Sequence, residues 1–333
     1  MNVFSSKKFK TLSVALCIAF TASTTPIVFA EAAITPDSAV SIYENNNTSN
    51  NALQYKLSSV EKAVYGTRQT GAIIDRINKL EHDYYGTEKT GSLANRVNLL
   101  YDHIFHNTYS PSAIAQMNGI EWSLMHKVSM QPINQRLSNL ETTLYGQPKE
   151  GTFYSRMLSL GKAAFGNSQE AIPLSRTQVP ANTLIKIKLV TPLDSKTMKA
   201  GDKIKFQVAE NVICNGDLVF AAGGLGEGQV TKVTSARNFG RDAKIDIDFA
   251  KTQAFDGTMV NTLLGDEAKK EMKSEAMAAG ASIAGMALLG PIGIVGGIFV
   301  KGKNIELPAG TELFIQTKTD TTLYGIKTAS ANY

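Results

Sequence analysis

The heptapeptide YGTRQTG, Tyr65–Gly71, returns 20 residues later as YGTEKTG, Tyr85–Gly91. A turn written twice at a fixed interval is the mark of a repeat array, and the same period extends in both directions. The pair entering the turn reads Tyr65-Gly66, Tyr85-Gly86, Phe105-His106, Met125-His126, Tyr145-Gly146 and Phe165-Gly166. Arginine recurs in register at Arg76, Arg96, Arg136 and Arg156, with Gln116 in the remaining place.

Between the turns each unit carries four apolar residues at spacing 4, 3, 4, as in Leu53-Leu57-Val60-Val64, Ile73-Ile77-Leu80-Tyr84 and Ile133-Leu137-Leu140-Leu144. That spacing lines one edge of an α-helix of about four turns. Glycine after the aromatic suits a left-handed C-cap, and Ser92 or Thr152 after the second glycine suits an N-cap. Gly66, Gly71, Gly86, Gly91, Gly146 and Gly151 are therefore the turn residues to which the array's shape is tied. One continuous helix is excluded, because 20 residues at about 100° each would throw successive stripes to opposite sides. Residues 52–166 are expected to form six short helices joined by tight turns, most simply as antiparallel neighbours. Such an array serves as a scaffold or offers a ligand groove.

After residues 167–178, which read as a polar linker, the period changes. IKIKL (185–189), KIKFQV (203–208) and KIDIDF (244–249) alternate apolar and polar residues, the signature of half-buried strands. With turn markers at Asn215-Gly216 and Asp256-Gly257, residues 179–327 read as an all-β barrel or sandwich. The fold class expected for the whole chain is α+β, multidomain. VPANTLIKIKL from Val179 is echoed by LPAGTELFIQT from Leu307, so that the opening and closing strands are expected in one barrel.

Between them runs an uncharged stretch, AMAAGASIAGMALLGPIGIVGGIFV, residues 276–300. Its length suffices for a membrane span, but a single crossing would separate the last strand from its partners. Gly290-Pro291 divides it into two short halves, neither of which spans a bilayer of about 30 Å at roughly 1.5 Å per residue. A helical hairpin is the reading adopted, with Gly280, Ala284, Gly285, Gly293 and Gly297 as small residues for close contact with lipid or sister subunits. A hairpin buried against its own barrel and a true single span are the competing readings.

The order Pro-Ala-x-Thr strand, LDSKTMKAGDKIKFQVAENV, glycine-rich turn, Asp-Gly, apolar insertion and LPAGTELFIQ resembles the C-terminal barrel of outer-membrane core subunits of conjugative type IV secretion systems. The resemblance covers residues 179 to about 322. It rests on Asp194-Ser195, Ala200-Gly201, Gly216, Gly228 and Pro308-Gly310-Thr311. It implies a barrel that oligomerises in a ring and an inserted helical hairpin that meets the outer membrane. The chain departs from that pattern in two places. Phe220–Gly228 lacks the proline expected before the next strand, and helical repeats replace a cytoplasmic tail with an inner-membrane span.

Lys7, Lys8 and Lys10 precede the apolar run LSVALCIAF, and Val28 and Ala30 stand at the small positions of a cleavage site, so residues 1–30 read as an export signal. A retained anchor is the rival reading, and residues 31–51 read as a flexible leader. Cleavage removes three lysines and no acid, so the formal charge of +5 falls to +2 in the 303 residues that remain. A nearly neutral chain gives no case for nucleic-acid binding. Cys214 alone remains, too few for an internal disulfide.

No GxSxG, HExxH or phosphate-binding loop is present. His106 and His126 take the glycine place of degenerate units, and His103 lacks a carboxylate or cysteine cluster at ligand spacing, so no metal site is expected. Asp246 and Asp248 share a strand face that reads as solvated. The expected function is non-enzymatic, with no catalytic residue, cofactor or small-molecule substrate. The protein is read as an exported periplasmic or outer-membrane-associated homo-oligomer that meets an envelope partner. A secreted soluble adhesin or interaction module with its apolar hairpin buried in its own fold is the alternative.

Overall fold

The computed structural model describes residues 48–166, 172–235, 243–278, 292–293, 298–300 and 304–328. The export signal, most of the leader and Gly280, Ala284, Gly285, Gly290, Pro291 and Gly297 lie outside them.

The six repeat units are six helices, α1 (Thr48–Tyr65), α2 (Ile73–Tyr85), α3 (Leu93–Phe105), α4 (Ala113–Met125), α5 (Ile133–Tyr145) and α6 (Phe153–Phe165). Gly66, Gly86 and Gly146 end helices at φ of 87°, 80° and 84°, and Gly71, Gly91 and Gly151 turn the chain again at 107°, 123° and 117°. A side chain is strained at such angles. Ser92, Ser112 and Thr152 cap α3, α4 and α6 by accepting from the amide three residues on. The stripes meet in one core, in which Leu57, Ile77, Leu100, Met117, Ile120, Leu137 and Leu160 are sealed from solvent. Each such side chain contributes about 1.5–3 kcal/mol.

α1 and α2 are not close antiparallel neighbours. Glu61 of α1 reaches Arg76 of α2, and Tyr65, further along α1, reaches Asp83, further along α2. Antiparallel partners would require the second contact to move backward along α2. The more extensive packing joins α1 with α3 and α4 with α6. The array also closes on itself, since Tyr65 packs edge-on against Phe153 of α6 at 6.4 Å.

The β region comprises β1 (Leu174–Val179), β2 (Leu184–Leu189), β3 (Leu193–Asp194), β4 (Lys203–Val208), β5 (Val212–Cys214), β6 (Asp217–Phe220), β7 (Leu225–Thr234), β8 (Ala243–Gln253), β9 (Met259–Leu263), β10 (Ile292–Gly293), β11 (Ile298–Val300), β12 (Glu306–Leu307), β13 (Glu312–Thr317) and β14 (Thr321–Lys327), with α7 (Asp266–Ala278) after β9. The circuit β8-β7-β4-β2-β13-β9 closes through β8–β9 into a six-stranded barrel. Its interior holds Ile185, Ile187, Ile204, Phe206, Ile245, Phe249, Leu313 and Ile315. The Phe206 and Phe249 rings meet edge-on at 5.5 Å. Gly226 faces Phe206 because a Cβ there would overlap the ring.

The two echoing segments are direct partners: β2 pairs with β13 in the register Ile187↔Leu313 and Ile185↔Ile315. Their entries match as well. Asn182 and Gly310 both take left-handed conformations, at φ of 65° and 88°. The hydroxyls of Thr183 and Thr311 each donate to the carbonyl of the proline three residues back, at 2.7 Å in both cases.

Two boundaries differ from the sequence reading. The stretch read as a linker holds β1, which pairs with β14 over Leu174–Val179 in a second sheet ordered β1-β14-β6-β5. Within the apolar insertion, Ile292-Gly293 and Ile298–Val300 are strand where a helical half was expected, and Ile298–Val300 pairs with Ala243–Ile245. β-branched residues beside the open edge of β8 favour that ladder over a helix.

Candidate functional site

Among the described residues, polar side chains gather at the buried joints between repeats and at the root of the apolar insertion. At each full joint the recurring arginine is buried against a glutamate 15 residues before it. Arg76 donates Nε to Glu61 Oε1 at 2.7 Å and Nη2 to Oε2 at 2.6 Å. Arg96 meets Glu81 at 3.1 and 2.6 Å, Arg136 meets Glu121 at 2.9 and 2.8 Å, and Arg156 meets Glu141 at 3.0 and 2.7 Å. The glutamate also accepts a turn amide eight residues on, from Gln69, Lys89, Ser129 and Lys149 in turn. One carboxylate therefore ties the end of one helix, the following turn and the start of the next helix. Its hydrogen bond holds the guanidinium of Arg76, and likewise of Arg96, above the ordinary arginine value, against the opposing pull of burial.

The sequence reading found the arginines and missed the glutamates. Glu61, Glu81, Glu121 and Glu141 recur at the same period, and Tyr101 stands in the series where Gln116 replaces arginine. That paired exception was the available signal.

Around this exception the array grips the barrel. Asn118 of α4 donates to the Phe255 carbonyl at 2.5 Å, and Asn107 donates to the Asp256 carbonyl at 3.0 Å. Ile114 packs on Gly257, and Gly119 leaves room for Ile172 and Leu174. The Asp256 carboxylate accepts from the amides of Thr258 and Tyr324 at 2.9 and 2.8 Å. Burial raises its pKa, and those amides oppose the rise.

The root of the insertion is built from four elements. α7 lies along β13: the amide of Ala268, near its start, donates to Gln316 near the strand's end. Glu275, near its finish, reaches Lys186 at 3.4 Å, and Lys186 also meets Glu312 at the strand's beginning at 3.4 Å and Glu210 at 3.0 Å. α7 thus runs toward the barrel end at which β2 finishes and β13 starts. The returning chain arrives at that end as well, where β12 pairs with β3. Ser195, 1% exposed, holds it there. Its amide donates to the Ile305 carbonyl at 3.0 Å and its hydroxyl oxygen accepts from the Ile305 amide at 2.9 Å. Its own carbonyl accepts from the Ser235 hydroxyl, just past β7, at 2.7 Å.

Of the insertion residues singled out in the sequence, the description reaches Gly293, which sits in β10 beside Phe299. The turn glycines are spread over three joints of the array and are not brought into one site. Among the described residues no helix is long and apolar enough to cross a membrane, and no group of His, Cys, Asp and Glu stands at metal-binding spacing. Asp248 is exposed and Asp246 is held by Lys244 at 2.8 Å. Burial pushes the Cys214 thiol up, away from the reactive thiolate.

No family model matches the chain, and no curated protein matches it. Among solved structures it has a loose likeness to ComB10 of the Com type IV secretion system of Helicobacter pylori. The two share 16% identity at a TM-score of 0.24, over 43% of this chain and 89% of that one. What stands of the resemblance read from the sequence is this loose likeness, and no residue role is carried across on it.

Proposed function

We propose that this chain is a non-enzymatic exported envelope protein. Its barrel docks at the outer membrane, or assembles with further copies, through the apolar insertion of residues 276–300. The helical array holds a partner or sets a spacing. The observation that carries this reading is the position of the insertion's two arms. α7 and the Asn304–Leu307 return both reach the barrel end where Ser195 lies, and the strands before and after the insertion, β9 and β13, pair with each other at Gln316↔Leu263. An uncharged stretch that leaves and re-enters at one end is suited to dipping into lipid or meeting sister subunits, and unsuited to threading a bilayer once.

A second reading is favoured by one observation. β11 extends the sheet at β8, so part of the insertion belongs to the protein's own fold. On that reading the chain is a soluble interaction module whose apolar segment is packed inside. Replacing residues 279–291 by a Gly-Ser linker separates the two. Loss of membrane recovery, or of the larger particle, with an unchanged circular dichroism spectrum supports docking. An aggregated or unfolded barrel supports internal packing. Wild-type protein recovered wholly soluble and monomeric refutes the first reading.

A further inference from the structure

We propose that α1 is a strap that closes the array, clasped by Lys56 in the arginine place of the joint between α3 and α4. Counting back by 20 from Arg76 puts Lys56 in the arginine register. In the joints of Arg96, Arg136 and Arg156 the guanidinium meets two positions of the preceding helix. One is the glutamate 15 places back, and the other, 18 places back, is Asn78, Asn118 or Ser138. The same two places before Gln116 are Tyr101 and Asn98. Gln116 turns away from them, its amide nitrogen donating to the Pro111 carbonyl at 2.8 Å. Lys56 comes in from α1 instead. Its Nζ donates to Asn98 Oδ1 at 2.7 Å and lies 5.2 Å from the centre of the Tyr101 ring. One ammonium thus touches both positions that an arginine of α4 would be expected to meet.

The chemistry of this exceptional joint suits a lysine from elsewhere. A tyrosine ring attracts a cation through its face and brings no buried carboxylate that must be neutralised. Lysine carries a point charge on a flexible stem, so it needs no fork geometry. The Tyr101 ring is itself held by Phe105 and His106, at 4.8 and 5.3 Å between centres. Other lysines lie over tyrosines in the array, but within their own neighbourhood: Lys79 on Tyr65, Lys89 on Tyr85 and Lys149 on Tyr145. Lys56 alone among these four reaches across two units, along the extensive packing of α1 on α3. The far end of the array is filled too. The glutamate register of α6 holds Gly161, against which Ile172 packs from the entry to β1. The array is therefore a closed body, in contrast to a stack that further repeats could extend.

Hydrogen exchange of the full chain, read by mass spectrometry, tests the strap. Lys56→Gln is expected to speed exchange in α1 about fivefold and to leave β2 of the barrel unchanged, the factor that a charged hydrogen bond and a cation over a ring supply at a half-exposed site. Lys56→Arg restores the residue that the other units carry in this register and should keep the wild-type rate. Asn98→Ala should loosen α1 as Lys56→Gln does, and the double variant should exchange no faster than the faster single one, because both changes remove one contact. Lys62→Gln, exposed on the same helix, should leave α1 as it was. Unchanged exchange in Lys56→Gln, or a rise that is equal in α1 and β2, overturns the strap. Additive effects in the double variant overturn the pairing of Lys56 with Asn98. Lys56→Arg exchanging as fast as Lys56→Gln overturns the place assigned to residue 56 in the arginine register. Equal loosening in Lys62→Gln shows a general charge effect on α1 and overturns the clasp.

Discussion

Arg96→Gln and Glu81→Tyr recreate, at the second joint, the two residues the chain already uses at its exceptional joint, Gln116 and Tyr101. Each change alone should be costly. Without Arg96, the Glu81 carboxylate, fully sealed from solvent, keeps the Lys89 amide and loses both arms of the guanidinium fork. Breaking one side of a buried ion pair costs about 3–5 kcal/mol, because the remaining charge is stranded. Without Glu81, Arg96 keeps the Asn78 carbonyl oxygen at 2.6 Å, which places that variant nearer 3 kcal/mol. The double variant strands no charge. It loses the fork, leaves the Lys89 amide to find another acceptor, and should cost about 1–3 kcal/mol.

The cycle therefore has a coupling energy of at least about 2 kcal/mol, with the double variant more stable than Arg96→Gln alone. Urea unfolding followed by far-ultraviolet circular dichroism measures all four proteins. Single variants that each cost under about 1 kcal/mol, or a double variant that costs their sum, would refute the claim that buried charge pairing locks the joints.

Three further outcomes follow from particular contacts. Burial, outweighing Asp102, lowers the His103 pKa, so its contribution is full above about 6.5 and is lost as pH falls through the lowered folded value. A stability-versus-pH series should show that loss in wild type and not in His103→Gln; identical curves would contradict it. Gly226→Ala sets a methyl on the Phe206 ring and should destabilise the barrel by about 1–3 kcal/mol in chemical denaturation. A neutral result would show that the ring has room to move. Ser195→Ala removes the acceptor of the buried Ile305 amide and should cost about 1–3 kcal/mol. Hydrogen exchange should then rise at Ile305–Leu307 before it rises in β2, and uniform protection would count against the serine as the hub of the insertion's root.

The array and the barrel were legible in different degrees because their signals differ in kind. Helix and turn positions followed from spacing 4, 3, 4 and from glycines whose left-handed angles a side chain resists. Which helices pack most closely did not follow, because each stripe marks a buried face without naming its partner, and α1 with α3 and α4 with α6 are the extensive pairs. β2, β4 and β8 carry clean alternation, whereas β1 reads LSRTQV, with Thr177 and Val179 its buried members and no continuous apolar face to mark it. Ile298–Val300 was hidden by its neighbours, because a glycine- and alanine-rich run looks helical until the free edge of β8 is known to lie beside it.

The glutamate–arginine joints and the barrel-gripping surface also account for each other. At three of the full joints the guanidinium takes its third contact from position 78, 118 or 138 of the preceding helix: Asn78, Asn118 and Ser138 accept from Arg96, Arg136 and Arg156. Asn118 differs in that its amide nitrogen also reaches Phe255 in the barrel, so one side chain serves both the array's lock and the contact between array and barrel. The joint just before it, Tyr101 with Gln116, is the one without a lock, and its connection carries His106 and Pro111 where three other connections carry the glycine pair, with Asn107 and Ser112 next to them. Asn107 spends its carbonyl oxygen on the Ser112 amide and its amide nitrogen on Asp256. The connections after α1 and α2 carry the shorter Thr67 and Thr87 at the position of Asn107. The degenerate unit is therefore the part of the repeat refitted to carry the barrel, and its irregularity is the means by which the array's orientation is fixed.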